Sequence, residues 1–498
     1  RSCRLRSGAP LSEPARARAA SGRMASEPPS RGNVGEISVS LCEDASSPLR
    51  LRNSVLGLEL RGLTRSGVRS SVFTLCSSAM GAGCLSLPYA VRVSGLGLCL
   101  LVMLFATGIT ILSGSVLVRH AASLRAKRSA GREPGPVPSW SELLEEQLGA
   151  CGGVVMDIVI FLLAGGVIVL YYSFTGDFLC SMRDLLHVSE AALPRWALIF
   201  LSLVVTVPLG FPLDIGALQG SSVFIVGVLV VLALVATLGL FACRDVAESP
   251  VDWMPASWGG LLQAFCTFIF TEMIHLNIFT VYNSLSPPHL WSPRSLAPRA
   301  LADKERMQNI VVFAVVTCLV LNLWIALAGY LLWRGSTPQD VILSYTQPGC
   351  PGWVGASAHA TQFLLVLCTL CGVPINVVPA RLALAGLAAR ALGRRDGAGG
   401  AGPLPFQAPL GRLLLTAAIC LGLAALAATT SSVAKIIGFL GGTLSTAVMF
   451  VLPALFYWRS ALDQGRPWLR VLTLSALLLG VAAGFGNVGL LIADAVGR

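Results

Sequence analysis

The sequence predicts an all-α integral membrane protein of about 11 transmembrane helices, and three observations carry that reading. Only 12% of the 498 residues are charged, 54% are hydrophobic, and the mean hydropathy is +0.74. Soluble chains carry about 25% charged residues, so a soluble enzyme and a disordered scaffold are both excluded. Eleven apolar stretches are long enough to cross a hydrocarbon core of roughly 30 Å, which takes about 20 residues each. Two of them, the first and the sixth, are interrupted mid-length by glycine or by polar residues.

The elements follow in order. Residues 1–65 are rich in Arg, Ser and Pro and read as a disordered tail. The chain opens on Arg1, with Met24 a candidate initiator. No cleavable signal peptide is visible, so the first span is expected to direct insertion. The spans lie at 69–91, 95–118, 152–180, 195–212, 217–243, 258–283, 309–333, 358–389, 411–430, 435–458 and 468–494. Only Pro212–Gly216 divides the fourth from the fifth.

Basic residues orient these spans, because connectors rich in Lys and Arg stay on the cytosolic side. With a cytosolic N-terminus, 29 of the 36 Lys and Arg residues fall inside. Seven remain outside: Arg92, Arg183, Arg195, Arg244, Arg334, Lys435 and Arg498. The C-terminus is then extracellular or lumenal. The net charge of +11 is accounted for by topology, so no nucleic-acid partner is expected.

Fourteen cysteines are dispersed, most of them inside apolar runs, and no CxxC pair stands beside a His pair. No metal site or cofactor is expected. Cys180, Cys243 and Cys350 fall at the non-cytosolic ends, where oxidation is possible at a cell surface. They allow one bridge and a leftover thiol. Cys243–Cys350 is the preferred pair, and three free thiols are the alternative.

The interruptions mark the candidate site. In the first span, Gly81-Ala82-Gly83 precedes Leu87-Pro88-Tyr89. Backbone unwound at mid-membrane is tolerable only where it lines a cavity, and the N-terminus of the following half-helix is a natural seat for a carboxylate. Gly81, Ala82 and Gly83 are therefore substrate-binding candidates, with a small-residue packing face as the alternative. In the sixth span, Glu272, His275 and Asn277 cluster in an apolar segment. His275 and Asn277 are candidates to meet the rest of the substrate, and Glu272 to carry a coupling proton or to pair with a cationic substrate. A pair of interrupted helices in corresponding halves is the mark of an inverted-repeat transporter with its site at the midplane. The eighth span, with Pro374 and Pro379 around Asn376, reads as kinked.

Several segments, in order, resemble the amino acid/auxin permease family, which includes sodium-coupled neutral, proton-coupled and vacuolar amino acid transporters. Gly81-x-Gly83-x-Leu85-x-Leu87-Pro88-Tyr89-Ala90 is similar to the family's first-helix signature. Gly166-Val167, Tyr171, Phe174, Asp177 and Leu179 sit at family-like spacing, as do Pro208-Leu209, Asp214, Leu218 and Ser222. Phe268-x-Phe270 through His275-x-Asn277 to Tyr282-x-x-Leu285 resembles the sixth helix, and Pro374 to Pro379-x-Arg381 the eighth. Gly438 to Thr443, Ser445-Thr446 and Leu452 to Tyr457 resemble the tenth.

The resemblance implies a five-plus-five inverted repeat, 69–243 and 258–458, followed by an extra helix, 468–494. It implies secondary transport of amino acids by alternating access, across either a plasma membrane or a vacuolar or lysosomal one. Sodium-coupled relatives place Asn four residues before the first glycine of the break, where this chain has Ser77. They also place a sodium-binding Thr on the eighth helix, where Thr369 and Cys371 are nearby. Ser77 and Thr369 join Glu272 as ion-coupling candidates, and proton coupling or uncoupled transport is expected ahead of sodium. The coupling ion, H+ or Na+, is the one small partner expected besides the amino acid and the bilayer. An amino-acid-sensing receptor on the same fold and a sodium-coupled symporter are the alternatives. A membrane-embedded enzyme is not expected, because of five histidines only His275 lies deep.

Overall fold

The computed structural model describes residues 67–128, 135–211, 219–243, 249–285, 296–346, 350–392, 408–430, 432–459 and 467–496. The chain divides into two units, Arg1–Glu59 and Leu60–Arg498, and the expected tail, 1–65, lies outside the described residues.

Among those residues the structure is all-helical, and its helices follow the eleven expected spans. The first is broken: α1 (Val68–Ala79) leads through a 3-10 turn, Ala82–Ser86, into α2 (Leu87–Ser94), with a bend of 54°. Pro88 lies in the first turn of α2, where its missing N–H costs nothing. Next come α3 (Leu96–Arg128), a short α4 (Trp140–Leu148), α5 (Ala150–Leu185), α6 (Arg195–Leu209) and α7 (Gln219–Ala242). The sixth span is also broken. Here α8 (Trp258–Thr271) ends at Glu272, a 3-10 turn covers His275–Asn277, and α9 (Ile278–Leu285) follows. The second half continues with α10 (Leu296–Trp333), α11 (Gly352–Ala391) and α12 (Pro409–Thr429). The tenth span runs from α13 (Val433–Leu440) through π-helical turns, Gly441–Ser445 and Ala447–Val451, into α14 (Leu452–Arg459). The last helix is α15 (Pro467–Val496).

Among the described residues, nine helices are long and apolar enough to cross a bilayer, and the bent pair α1–α2 makes a tenth. The fourth expected span, 195–212, is the exception. Its helix, α6, has 15 residues, because Pro208 and Gly210 end it early. Three further expectations are corrected. The second and third spans run past their expected ends to Arg128 and Leu185, because polar residues continue a helix once it leaves the apolar layer. The eighth, expected at 358–389, likewise runs past its ends, as a helix of 40 residues, Gly352–Ala391, with Pro374 and Pro379 inside it. The helix α4 was not expected at all. It is marked by a capping box in which Ser139 accepts from the Glu142 N–H and Glu142 accepts from the Ser139 N–H.

Burial sorts the helices into centre and rim. The broken sixth helix is 94% enclosed over its apolar window, whereas α12 and α15 are 28% enclosed. Long α5 and α11 pack along each other and contribute Tyr171, Tyr172, Phe174 and Val373 to the core. Outward faces carry Leu101, Val204, Phe241 and Phe313, an apolar surface suited to lipid. At one end, Cys243 of the α7 terminus and Cys350 before α11 form a disulfide, and Cys180 is a free thiol.

Candidate functional site

The two breaks face the same interior. Within the first, the Cys84 N–H donates to the Gly81 carbonyl at 3.3 Å and opens the 3-10 turn. The N–H groups of Ala82 and Gly83 therefore precede its first internal hydrogen bond. The glycines are needed for packing. A Cβ on Gly81 would collide with the Tyr171 hydroxyl of α5, and one on Gly83 would come within 2.8 Å of the Thr271 methyl of α8. Gly372 of α11 holds the same tyrosine from another side, since a Cβ there would lie 2.6 Å from its ring. Tyr171 is thus seated between two glycines, and its buried hydroxyl has no hydrogen-bond partner.

The second break sends its polar side chains to three different helices. Asn277 donates its amide N–H to the Ser78 hydroxyl of α1 at 2.8 Å. His275 Nε2 is hydrogen-bonded to the Ser113 hydroxyl of α3 at 2.7 Å. Glu272 Oε1 accepts from the Asn322 amide of α10 at 3.0 Å. All three are fully buried, and each keeps one polar atom without a partner: Asn277 Oδ1, His275 Nδ1 and Glu272 Oε2. Unpaired polar atoms buried at this depth each cost on the order of 1–3 kcal/mol.

Of the expected residues, Gly81, Gly83 and Asn277 come together around the first break, where they are joined by the Tyr171 hydroxyl, which was not among them. His275 and Glu272 point to other walls of the same helix break. The hydroxyls of Ser77 and Thr369 are directed elsewhere. Ser77 donates to the Thr74 carbonyl at 3.0 Å. Thr369 donates to the Val366 carbonyl at 2.8 Å, with the Thr175 hydroxyl 2.7 Å away. Two carboxylates of α5 are paired: Asp177 accepts from Arg195 at 2.7 Å, and Asp157 from Arg390. Lys435 pairs with Asp494 at 2.7 Å.

Sequence reasoning missed four partners. Tyr171 stood inside an apolar run with no mark beyond its spacing. Ser78 and Ser113 are small hydroxyls that apolar helices tolerate. Asn322 carried a readable signal, since an amide among Leu, Val and Ile at mid-span is itself costly.

An all-helical bundle with two opposed helix breaks and a buried polar interior defines a membrane transporter. The family described as transmembrane amino acid transporter protein matches residues 64–494, and the chain belongs to that family. It is a multi-pass transporter and not an enzyme. It is 25% identical to the sodium-coupled neutral amino acid transporter 7 of Xenopus laevis over 443 residues, covering 86% of this chain and 89% of the relative. It is 26% identical to the vacuolar amino acid transporter 5 of Schizosaccharomyces pombe over 397 residues, covering 79% and 84%. A putative amino acid transporter AAT1 of Toxoplasma gondii is 27% identical over 319 residues, which span 64% of this chain and 40% of that relative. Among solved structures, a manganese transporter of Eremococcus coleocola superposes with a TM-score of 0.56 at 11% identity, covering 86% of this chain and 88% of the other. That likeness concerns the fold.

Proposed function

We propose that the chain moves amino acids across a bilayer by alternating access, with the substrate held between the two helix breaks. In this reading the N–H groups at Gly81, Ala82 and Gly83 receive the carboxylate, and the Tyr171 hydroxyl donates to it from α5. Asn277 Oδ1 and His275 meet the amino group or side chain. One observation carries the reading: the Asn277–Ser78 hydrogen bond joins the two breaks and leaves unpartnered polar atoms around the join.

The transporter domain comprises residues 66–494, as repeats 69–243 and 258–458 plus the helix 468–494, with 1–65 as a cytosolic tail. The basic connectors place the N-terminus in the cytosol and the C-terminus outside or in a lumen. The Cys243–Cys350 disulfide supports this orientation, because it lies at the end assigned to the oxidising side. Plasma membrane and vacuole or lysosome both fit that sidedness.

Coupling is assigned to protons, or transport is uncoupled. Glu272 supports the proton, being a desolvated carboxylic group at the hinge of α8 and α9 with one oxygen unpartnered. The hydroxyls of Ser77 and Thr369 are turned to helix carbonyls, which disfavours a rigid oxygen cage for Na+. A sodium-coupled symporter is the second reading, favoured by the sodium-coupled relative in Xenopus laevis. Uptake of twenty labelled amino acids into proteoliposomes, with Na+ and pH varied independently, decides between them. Accumulation driven by a pH gradient in choline supports the first reading. Uptake abolished by choline at fixed pH, with none driven by a pH gradient, supports the second. No uptake of any amino acid under either condition overturns both.

A further inference from the structure

The segment before α4 crosses the end of the bundle assigned to the cytosol and is fastened to the free end of α9. The Val137 N–H donates to Asn283 Oδ1 at 2.6 Å, and the Asn283 amide donates back to the Val137 carbonyl at 3.2 Å. One side chain thus satisfies both backbone groups of one residue, as a neighbouring strand would. Four residues earlier on α9, Phe279 meets Trp140 edge-on with ring centroids 4.7 Å apart. Positions four apart share a helix face, so the segment grips a single stripe of α9.

The strap itself is anchored elsewhere. Arg125 of α3 donates to the Gly135 carbonyl at 2.8 Å. Along α4, Glu145 pairs at 3.0 Å with Arg390 of α11, and Arg390 also binds Asp157 of α5. The strap and α4 are thus held by α3 as well as by α11: Arg128 of α3 pairs with Glu142 at 3.2 Å, and Gln147 of α4 is hydrogen-bonded to His120 of α3 at 3.3 Å. By contrast, α9 is an eight-residue half-helix joined to α8 only through the break at Glu272–Ile274. Between that break and Leu285, the Asn283–Val137 pair and the Trp140–Phe279 contact tie it to the strap. The half-helix α9 packs on α1 and on the turn His275–Asn277, and any movement of α9 away from the strap and α4 breaks both contacts.

We propose that Asn283 is a positioning residue for transport: by pairing with Val137 it pins α9 to the strap and holds the inner gate shut. The proposal rests on the alternating-access reading above. Releasing the pin shifts the population towards the inward-open state. A ligand's apparent affinity scales with the fraction of protein in the competent state, so the two sides of the membrane respond oppositely.

The test uses the full chain in proteoliposomes of defined orientation, with the best substrate of the panel. Asn283→Ala removes both hydrogen bonds. It should raise the half-saturation concentration from the non-cytosolic side about tenfold and lower it from the cytosolic side. Trp140→Ala should shift both in the same senses. Asn283→Asp, which keeps the acceptor for the Val137 N–H, should give a smaller shift. Equal weakening on both sides, or no change on either, overturns the proposal, because a merely structural role predicts no opposition. Hydrogen exchange at the Val137 amide reads the latch without any transport. Protection in the wild type that Asn283→Ala removes supports it, and equal exchange in the two overturns it. A wild type that moves no amino acid sinks the substrate reading alone, and the Val137 exchange then decides the latch.

Discussion

Asn277 and Ser78, 199 residues apart in sequence, are joined by a 2.8 Å hydrogen bond that ties the break in the sixth helix to the break in the first. The amide donates and the hydroxyl accepts, so the bond fixes which atom of Asn277 is left to a ligand. Asn277→Ala removes that donor and leaves Ser78 without its partner in a buried setting. The expected cost is about 1–3 kcal/mol in stability. Substrate affinity should fall at least tenfold. Thermal unfolding in detergent and radioligand binding measure the two separately, and unchanged affinity would detach the Asn277–Ser78 bond from the site.

The packing around Tyr171 makes a second prediction. Gly81→Val and Gly372→Ala both push a carbon into the space of one ring, from opposite sides. Each should abolish measurable substrate binding while the protein still inserts and elutes as a single species. Tyr171→Phe keeps the ring and removes only the hydroxyl, so binding should weaken about tenfold without loss of fold. Full affinity in a correctly inserted Gly81→Val protein would place the substrate elsewhere.

Glu272 and Asn322 supply a third. Glu272→Gln keeps an oxygen for the Asn322 amide to donate to, so stability should change by less than about 1 kcal/mol. A proton can no longer be exchanged at that position. Accumulation driven by a pH gradient should vanish, while exchange of labelled for unlabelled substrate continues, since exchange moves no net proton. Counterflow and net uptake measured on one preparation test this. PH-driven accumulation surviving in Glu272→Gln assigns coupling to another group.

The loop between α10 and α11 predicts a pH effect. Burial pushes the Asp340 carboxyl up from 3.8 to about 7, and the Asp177 charge adds to the rise, while the Ile342 backbone N–H pulls against both. The folded state therefore keeps a proton that the unfolded chain releases between pH 3.8 and about 7. Stability from this group is present below that window and is lost as pH rises through it, reaching a plateau above. The wild type should melt at a higher temperature relative to Asp340→Asn at pH 5 than at pH 8. A difference between the two that does not vary with pH would contradict the buried carboxyl.

Composition and periodicity by themselves determined that the chain is an all-helical protein crossing a membrane many times, and lysine and arginine placement made an orientation readable. They could do so because a bilayer imposes one demand, about 20 apolar residues per crossing, that a stretch of sequence meets or fails by itself, as the 15-residue α6 fails it. The breaks were legible for the same local reason: Gly81-x-Gly83 and the Glu272-to-Asn277 cluster are costly in a continuous span wherever they occur. Tertiary structure decided the rest. That Tyr171 lies against both Gly81 and Gly372, that Glu272, His275 and Asn277 turn to three different helices, and that Trp140 at the start of α4 meets Phe279 of α9, all depend on which faces meet across the chain. A tyrosine in an apolar run looks the same facing lipid or a site, and only the packing of α5 against the α1–α2 break and α11 distinguishes the two.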